Sequence, residues 1–115
     1  MKKFILSNSM DAKMAEEKEL VDHFHSVEFY IGGRGPAYQF KIWKNVSTMP
    51  MCFLVKENSD VLPMLKVGDV LGMKYYSDGS AYPTDYLETE ILNITKDDQG
   101  PFKGHYLVAL ELLEN

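Results

Sequence analysis

The sequence predicts a small antiparallel β-barrel preceded by an N-terminal amphipathic helix, and three observations carry that prediction. From Val27 to Leu113 apolar and polar residues alternate over short runs, the period of strands that bury one face. Turn chemistry separates the runs, as in Gly32-Gly33-Arg34-Gly35-Pro36, Ser77-Asp78-Gly79-Ser80 and Asp97-Asp98-Gln99-Gly100-Pro101. A helical period occurs only ahead of them, over Ala12 to His25, where Met14, Glu17, Leu20, Val21 and Phe24 approach one stripe behind Asp11 as a cap. Strands joined by short turns favour closure over an open α/β sheet, and closure removes unpaired edges. The expected organisation is residues 1–26 as extension and helix and residues 27–115 as barrel, together one compact domain.

The first substantial strand is Val27 to Ile31, ended by the glycine-rich run. A strand follows that run, so it reads as a hairpin connection; its glycines lack the spacing of a phosphate loop between strand and helix. Tyr38, Phe40 and Ile42 then alternate with Gln39 and Lys41, and Met51 to Val55 is a continuous apolar run; between them Asn45-Val46-Ser47-Thr48-Met49-Pro50 reads as a polar hinge. Val61 to Leu65 is a short helical or irregular turn able to plug one barrel end. Val70 to Tyr76 places Leu71, Met73 and Tyr75 on one side and Gly72 on the other, leaving room for a bend or close approach. In Leu87 to Thr95 the pattern Leu87, Thr89, Ile91 switches to Leu92 and Ile94, as a β-bulge would make it do. The last strand alternates Tyr106, Val108, Leu110 and Leu112 against His105, Leu107, Ala109 and Glu111. Tyr38, Phe40, Ile42, Phe53, Val55, Leu71, Met73, Val108 and Leu110 are expected to share one interior.

A chain of 115 residues suits one domain, which at this size buries roughly two thirds of its extended surface without disulfides. Its single cysteine, Cys52, lies inside the Met51–Val55 run and reads as a buried small hydrophobe. The start Met1-Lys2-Lys3-Phe4-Ile5-Leu6 opens like a secretion signal, but Ser7-Asn8-Ser9 ends it short of the ~7 apolar residues required. No run reaches the ~18 apolar residues of a membrane span, so a cytoplasmic protein is expected. Asp and Glu exceed Lys and Arg by 17 to 12, for a formal charge of -5, which disfavours nonspecific polyanion binding. Arg34 is the only arginine, and lysine does not reproduce the guanidinium fork that grips phosphate and guanine edges.

Catalytic signatures are weak. His23 and His25 diverge by about 200 degrees on a helix, and His105 lies far along the chain. Glu88 and Glu90 share a strand face without metal-ligand spacing, and the serines of the turns have no nucleophile elbow. Most aromatic residues read as core. Trp43 departs from the Tyr38, Phe40, Ile42 face and sits beside the hinge, leaving it open as a packing or contact residue.

From Val27 to Leu113 the chain resembles the PilZ family. The resemblance lies in the strand leading into Asn45-Val46-Ser47-Thr48-Met49-Pro50, the Met51–Val55 strand, the Leu65-Lys66-Val67-Gly68-Asp69-Val70-Leu71 stretch and the closing Gly104-His105-Tyr106-Leu107-Val108-Ala109-Leu110-Glu111. It implies a six-stranded antiparallel barrel and, in typical members, cyclic di-GMP bound through Arg-x-x-x-Arg and Asp/Asn-x-Ser-x-x-Gly motifs. Asn45 and Ser47 match two fixed positions of the second motif, Pro50 replaces its glycine, and Tyr38 stands where a second arginine would follow Arg34. Losing such charged contacts costs roughly 1–3 kcal/mol each, so cyclic di-GMP is expected to bind weakly or not at all. The residues nominated for a nucleotide or contact site are Arg34, Trp43, Asn45 and Ser47. The functional expectation is a noncatalytic PilZ-like adaptor that needs no cofactor, does not engage membranes, and binds a protein partner or self-associates through the Met14, Leu20, Val21, Phe24 stripe. The alternatives are a degenerate cyclic di-GMP receptor, a single-stranded nucleic-acid binder using Lys41, Lys44, Lys56, Lys74 and Trp43, and an enzyme of no identifiable class.

Overall fold

The computed structural model describes residues 23–33, 35–46, 49–98 and 100–113. Six antiparallel strands, β1 (Phe24–Phe29), β2 (Tyr38–Val46), β3 (Met49–Lys56), β4 (Val70–Ser77), β5 (Asp85–Asp97) and β6 (His105–Leu112), close into one barrel in the order β1-β2-β3-β6-β5-β4. Closure comes from β1, which pairs with β2 through Phe29↔Tyr38 and with β4 through Val27↔Tyr75. Strands of alternating period, each with an apolar face, have thus found the arrangement that buries those faces together.

The interior holds the residues the alternation nominates. Ile42, Phe53, Val55, Met73, Val108 and Leu110 are buried in one cluster, and Tyr38, Phe40 and Leu71 pack against it. Phe40 stacks on Phe53 at 4.6 Å between ring centroids, and Phe53 also meets Phe29 at 5.6 Å. Tyr75 stacks on Phe24 at 4.4 Å, and its hydroxyl lies 2.7 Å from Thr89 Oγ1. Because Thr89 Oγ1 donates to the Leu87 carbonyl, the Tyr75 hydroxyl is placed to donate to it, so both buried hydroxyls are satisfied. A single 3-10 turn, Leu62–Met64, carries buried Val61 and Leu65 on its flanks and caps one end of the core. This is the plug expected from Val61 to Leu65.

The β5 irregularity is also where the sequence places it. Pairing passes from Ile91↔Leu110 to Asn93↔Ala109, so Ile91 and Ile94 both point inward. Leu92, read as part of the inward pattern, instead lies at the register shift and is exposed. The hinge needs correction too: β2 runs to Val46 and β3 starts at Met49, with Pro50 inside the strand.

The largest correction is at the amino end. Phe24 and His25, assigned to the helix, begin β1, three residues before the expected strand start. The register shifts between Phe24 and Ser26, so Phe24 and Val27 are both buried although three residues apart. A bulge thereby reproduces the i, i+3 spacing of a helix. The rest of the expected helix, including Met14, Leu20 and Val21, lies outside the described residues.

Candidate interaction face and seam groove

Outward positions follow from the same registers. On one side of the barrel Trp43 pairs with Cys52, and Cys52 with Ala109. The indole is half-buried, meets Phe102 edge-on at 5.1 Å and has the Lys41 ammonium 4.4 Å over its ring. Cys52, Leu107 and Ala109 are buried despite their outward register. Burial pushes the Cys52 thiol up to about 11, so at neutral pH it is a protonated small hydrophobe, as its surroundings in sequence predict. Trp43 is thus held between Phe102 and Lys41, beside an outer layer of buried residues that begins at its cross-strand partner Cys52.

Of the other nominated site residues, Asn45 falls near the end of β2, and Arg34 and Ser47 lie outside the described residues. The three glycines around Arg34, namely Gly32, Gly33 and Gly35, all have positive φ, consistent with a tight connection between β1 and β2.

The opposite side, formed by β1, β4 and β5, is different. Tyr30 and Tyr86 are exposed at 43% and 69%, and the Lys74 ammonium lies 5.6 Å and 5.8 Å from their ring centroids. Glu28 is opposite Lys74 in the register, but its carboxylate accepts the Tyr76 hydroxyl at 2.7 Å. That bond raises the Tyr76 pKa, with the nearby carboxylate charge acting in the same direction. Beyond Tyr86, Glu88 sits over Gly72, whose missing side chain leaves the space that the Glu88 carboxylate occupies; a Cβ there would come 3.2 Å from Oε2. Glu90 and Glu111 are paired directly across β5 and β6. Like charges opposite one another destabilise a sheet, so this pair is tolerated at some cost. Val70, opposite Glu90, and Tyr82, in the β4–β5 connection, are exposed as well. The sequence reading placed most aromatics in the core; Tyr30, Tyr82 and Tyr86 correct it. For Tyr86 the available signal is its position out of phase with Leu87 on β5.

A third feature lies where β2 and β3 part. Their pairing begins at Ile42↔Phe53 and runs toward the hairpin, whereas Tyr38 to Lys41 pair with β1 and Leu54 to Lys56 with β6. The seam opens into a groove of about 480 Å³ lined by Phe40, Leu54, Lys56, Asn58, Ser59 and His105.

Among the described residues no three or more His, Cys, Asp or Glu side chains gather closely enough to hold a metal ion. No described helix is long and apolar enough to cross a membrane. No family model matches the chain and no curated protein matches it.

Proposed function

We propose that this chain is a noncatalytic, PilZ-like protein-interaction domain that docks a partner on the outer face of β1, β4 and β5. The observation that carries the reading is the exposed Tyr30–Lys74–Tyr86 sandwich beside the carboxylates of Glu28, Glu88, Glu90 and Glu111. Exposed tyrosines are enriched in interaction hot spots, because each ring supplies large contact area at low entropy cost. Apart from the seam where β2 and β3 part, the closed barrel leaves its described strands paired on both sides, so recognition on this face falls to side chains. The six-stranded antiparallel architecture is the one the family resemblance implies, and it supports assigning the chain to that class.

Charge selects the kind of partner. Among the described residues, carboxylates outnumber the Lys74 ammonium on this face, which suits a segment bearing lysine or arginine side chains that pair with Glu88, Glu90 or Glu111 and stack on the tyrosines. A second copy docking isologously would bring those carboxylates together, so the face favours a heteromeric partner. The stripe on which self-association was expected keeps only Phe24 among the described residues, and Phe24 is buried.

Amide chemical-shift mapping of the full chain with a hexa-arginine peptide tests the reading. Saturable shifts centred on Glu28, Tyr30, Lys74, Tyr86 and Glu88, weakened by salt and absent with hexa-glutamate, are expected. Shifts scattered over the barrel, or unchanged by Tyr86→Ala, would overturn it.

A further inference from the structure

We infer that the seam between β2 and β3 is a second binding site, independent of the interaction face, for a small anion carrying a flat apolar group. An aryl carboxylate or aryl phosphate has this chemistry. The groove exists because β2 divides its pairing: its first half bonds to β1 and its second to β3. Beyond Phe53, β3 continues with β6 alone, so Phe40, paired with Val27 of β1 on one side, has no β3 partner on the other.

The floor and rim have complementary chemistry. Phe40 is only partly buried, and its inner contacts are fixed by stacking on Phe53 at 4.6 Å and on Phe29 at 5.9 Å. A ring held so firmly presents an apolar surface that needs no reorganisation when a flat ligand group covers it. Leu54 extends that surface.

Around it stand the Lys56 ammonium, the Asn58 amide, the Ser59 hydroxyl and the His105 imidazole, with no carboxylate among the lining residues. In a chain of formal charge -5, a groove whose polar rim is led by an ammonium, an amide and a hydroxyl is a local exception. Ser59 Oγ accepts the Val61 backbone N–H at 3.3 Å, which leaves its own proton available to a ligand. His105 Nδ1 lies 3.3 Å from the Lys103 carbonyl, a contact that orients the ring at the edge of the groove. Lys56 and His105 are paired directly across β3 and β6, with Asp97 on the other side of His105 in the β5–β6 register. The groove's volume is in the range of small-molecule sites, and an apolar floor with a few convergent polar groups is their usual design.

The probes are phenyl phosphate and benzoate, with inorganic phosphate and benzyl alcohol as the charge-only and ring-only arms, followed by amide shifts on the full chain. Saturable shifts confined to Phe40, Lys56, Asn58, Ser59 and His105 are expected with one or both aryl anions, at least fivefold tighter than with either control. Preference between them tells phosphate from carboxylate. Lys56→Ala changes an exposed residue and should weaken binding at least fivefold; Phe40→Leu should weaken it similarly while the shift pattern elsewhere shows the barrel intact. Inorganic phosphate binding as tightly as phenyl phosphate would overturn the proposal, as would Lys56→Ala with unchanged affinity or aryl-anion shifts spread across the barrel. Because the groove lies on β2, β3 and β6, neither result bears on the face formed by β1, β4 and β5.

Discussion

The barrel carries lysine beside aromatic rings on two outer faces, and the two put that chemistry to different ends. Next to β3 and β6, Lys41 covers Trp43, Trp43 meets Phe102, and Cys52, Leu107 and Ala109 beneath the same register are buried. On β1, β4 and β5, Lys74 lies between Tyr30 and Tyr86, yet both rings remain open to solvent and carboxylates surround them. The first arrangement removes apolar area from water and thereby contributes to folding. The second leaves that area exposed, where its contribution awaits a partner. A cation over a ring therefore does not by itself distinguish packing from recognition; the burial of the rings does.

The interior on which both faces rest gives the largest expected effect. Phe53→Ala removes the ring shared by Phe29 and Phe40 and should cost about 3–5 kcal/mol in urea denaturation. It should also loosen both outer faces, visible as amide shift changes at Trp43 and Tyr86 alike. A loss below about 1 kcal/mol would mean that the barrel does not depend on this aromatic stack.

Alkaline pH probes the buried layer around Cys52. The Cys52 thiol has its ordinary value near 9.0 in the unfolded chain and is pushed up to about 11 in the folded one. Below about pH 9 it is protonated in both states. Between there and about 11 the unfolded chain releases the proton while the folded chain retains it, so stability falls as pH rises and the decline levels off above the folded value. Burial raises Tyr75 as well, from an ordinary value near 10.0, and adds a loss in the same direction that sets in near that pH and continues above it. Denaturation midpoints measured from pH 8 to 11 should therefore fall less steeply in Cys52→Ala than in the parent. Equal slopes would show the thiol to be accessible.

A smaller effect probes the buried polar pair. Tyr75→Phe removes the hydroxyl bonded to Thr89 while Thr89 keeps its bond to the Leu87 carbonyl, so the expected cost is about 1 kcal/mol. A cost of 3 kcal/mol or so would point to repacking around Phe24.

Much of this was legible in the sequence because alternation with period 2 determines which side of a strand is buried. Leu71, Met73 and Tyr75 on β4 and Val108 and Leu110 on β6 face inward as that period requires. The same rule places Tyr86 outward, but a rich aromatic content drew the tyrosines toward the core reading. Phe24 differs for another reason: in sequence it continues the Met14, Leu20, Val21 stripe, whereas in the fold it opens β1 next to a register shift. The seam groove was not legible, because it depends on which partner each half of β2 chooses, and that choice involves residues far apart in the chain. Of the nominated site, only Trp43 has a described side chain, and its surroundings are those of packing.

The most direct test compares the two outer faces by equilibrium urea denaturation of Trp43→Ala and the double variant Tyr30→Ala/Tyr86→Ala. Trp43→Ala should lose about 1–3 kcal/mol, since it uncovers apolar area and breaks the contact with Phe102. The double variant should stay within about 0.5 kcal/mol of the parent, as exposed residues away from packed features do, while losing affinity for the hexa-arginine probe. The reverse order, with the tyrosines carrying the stability and Trp43 dispensable, would contradict the account.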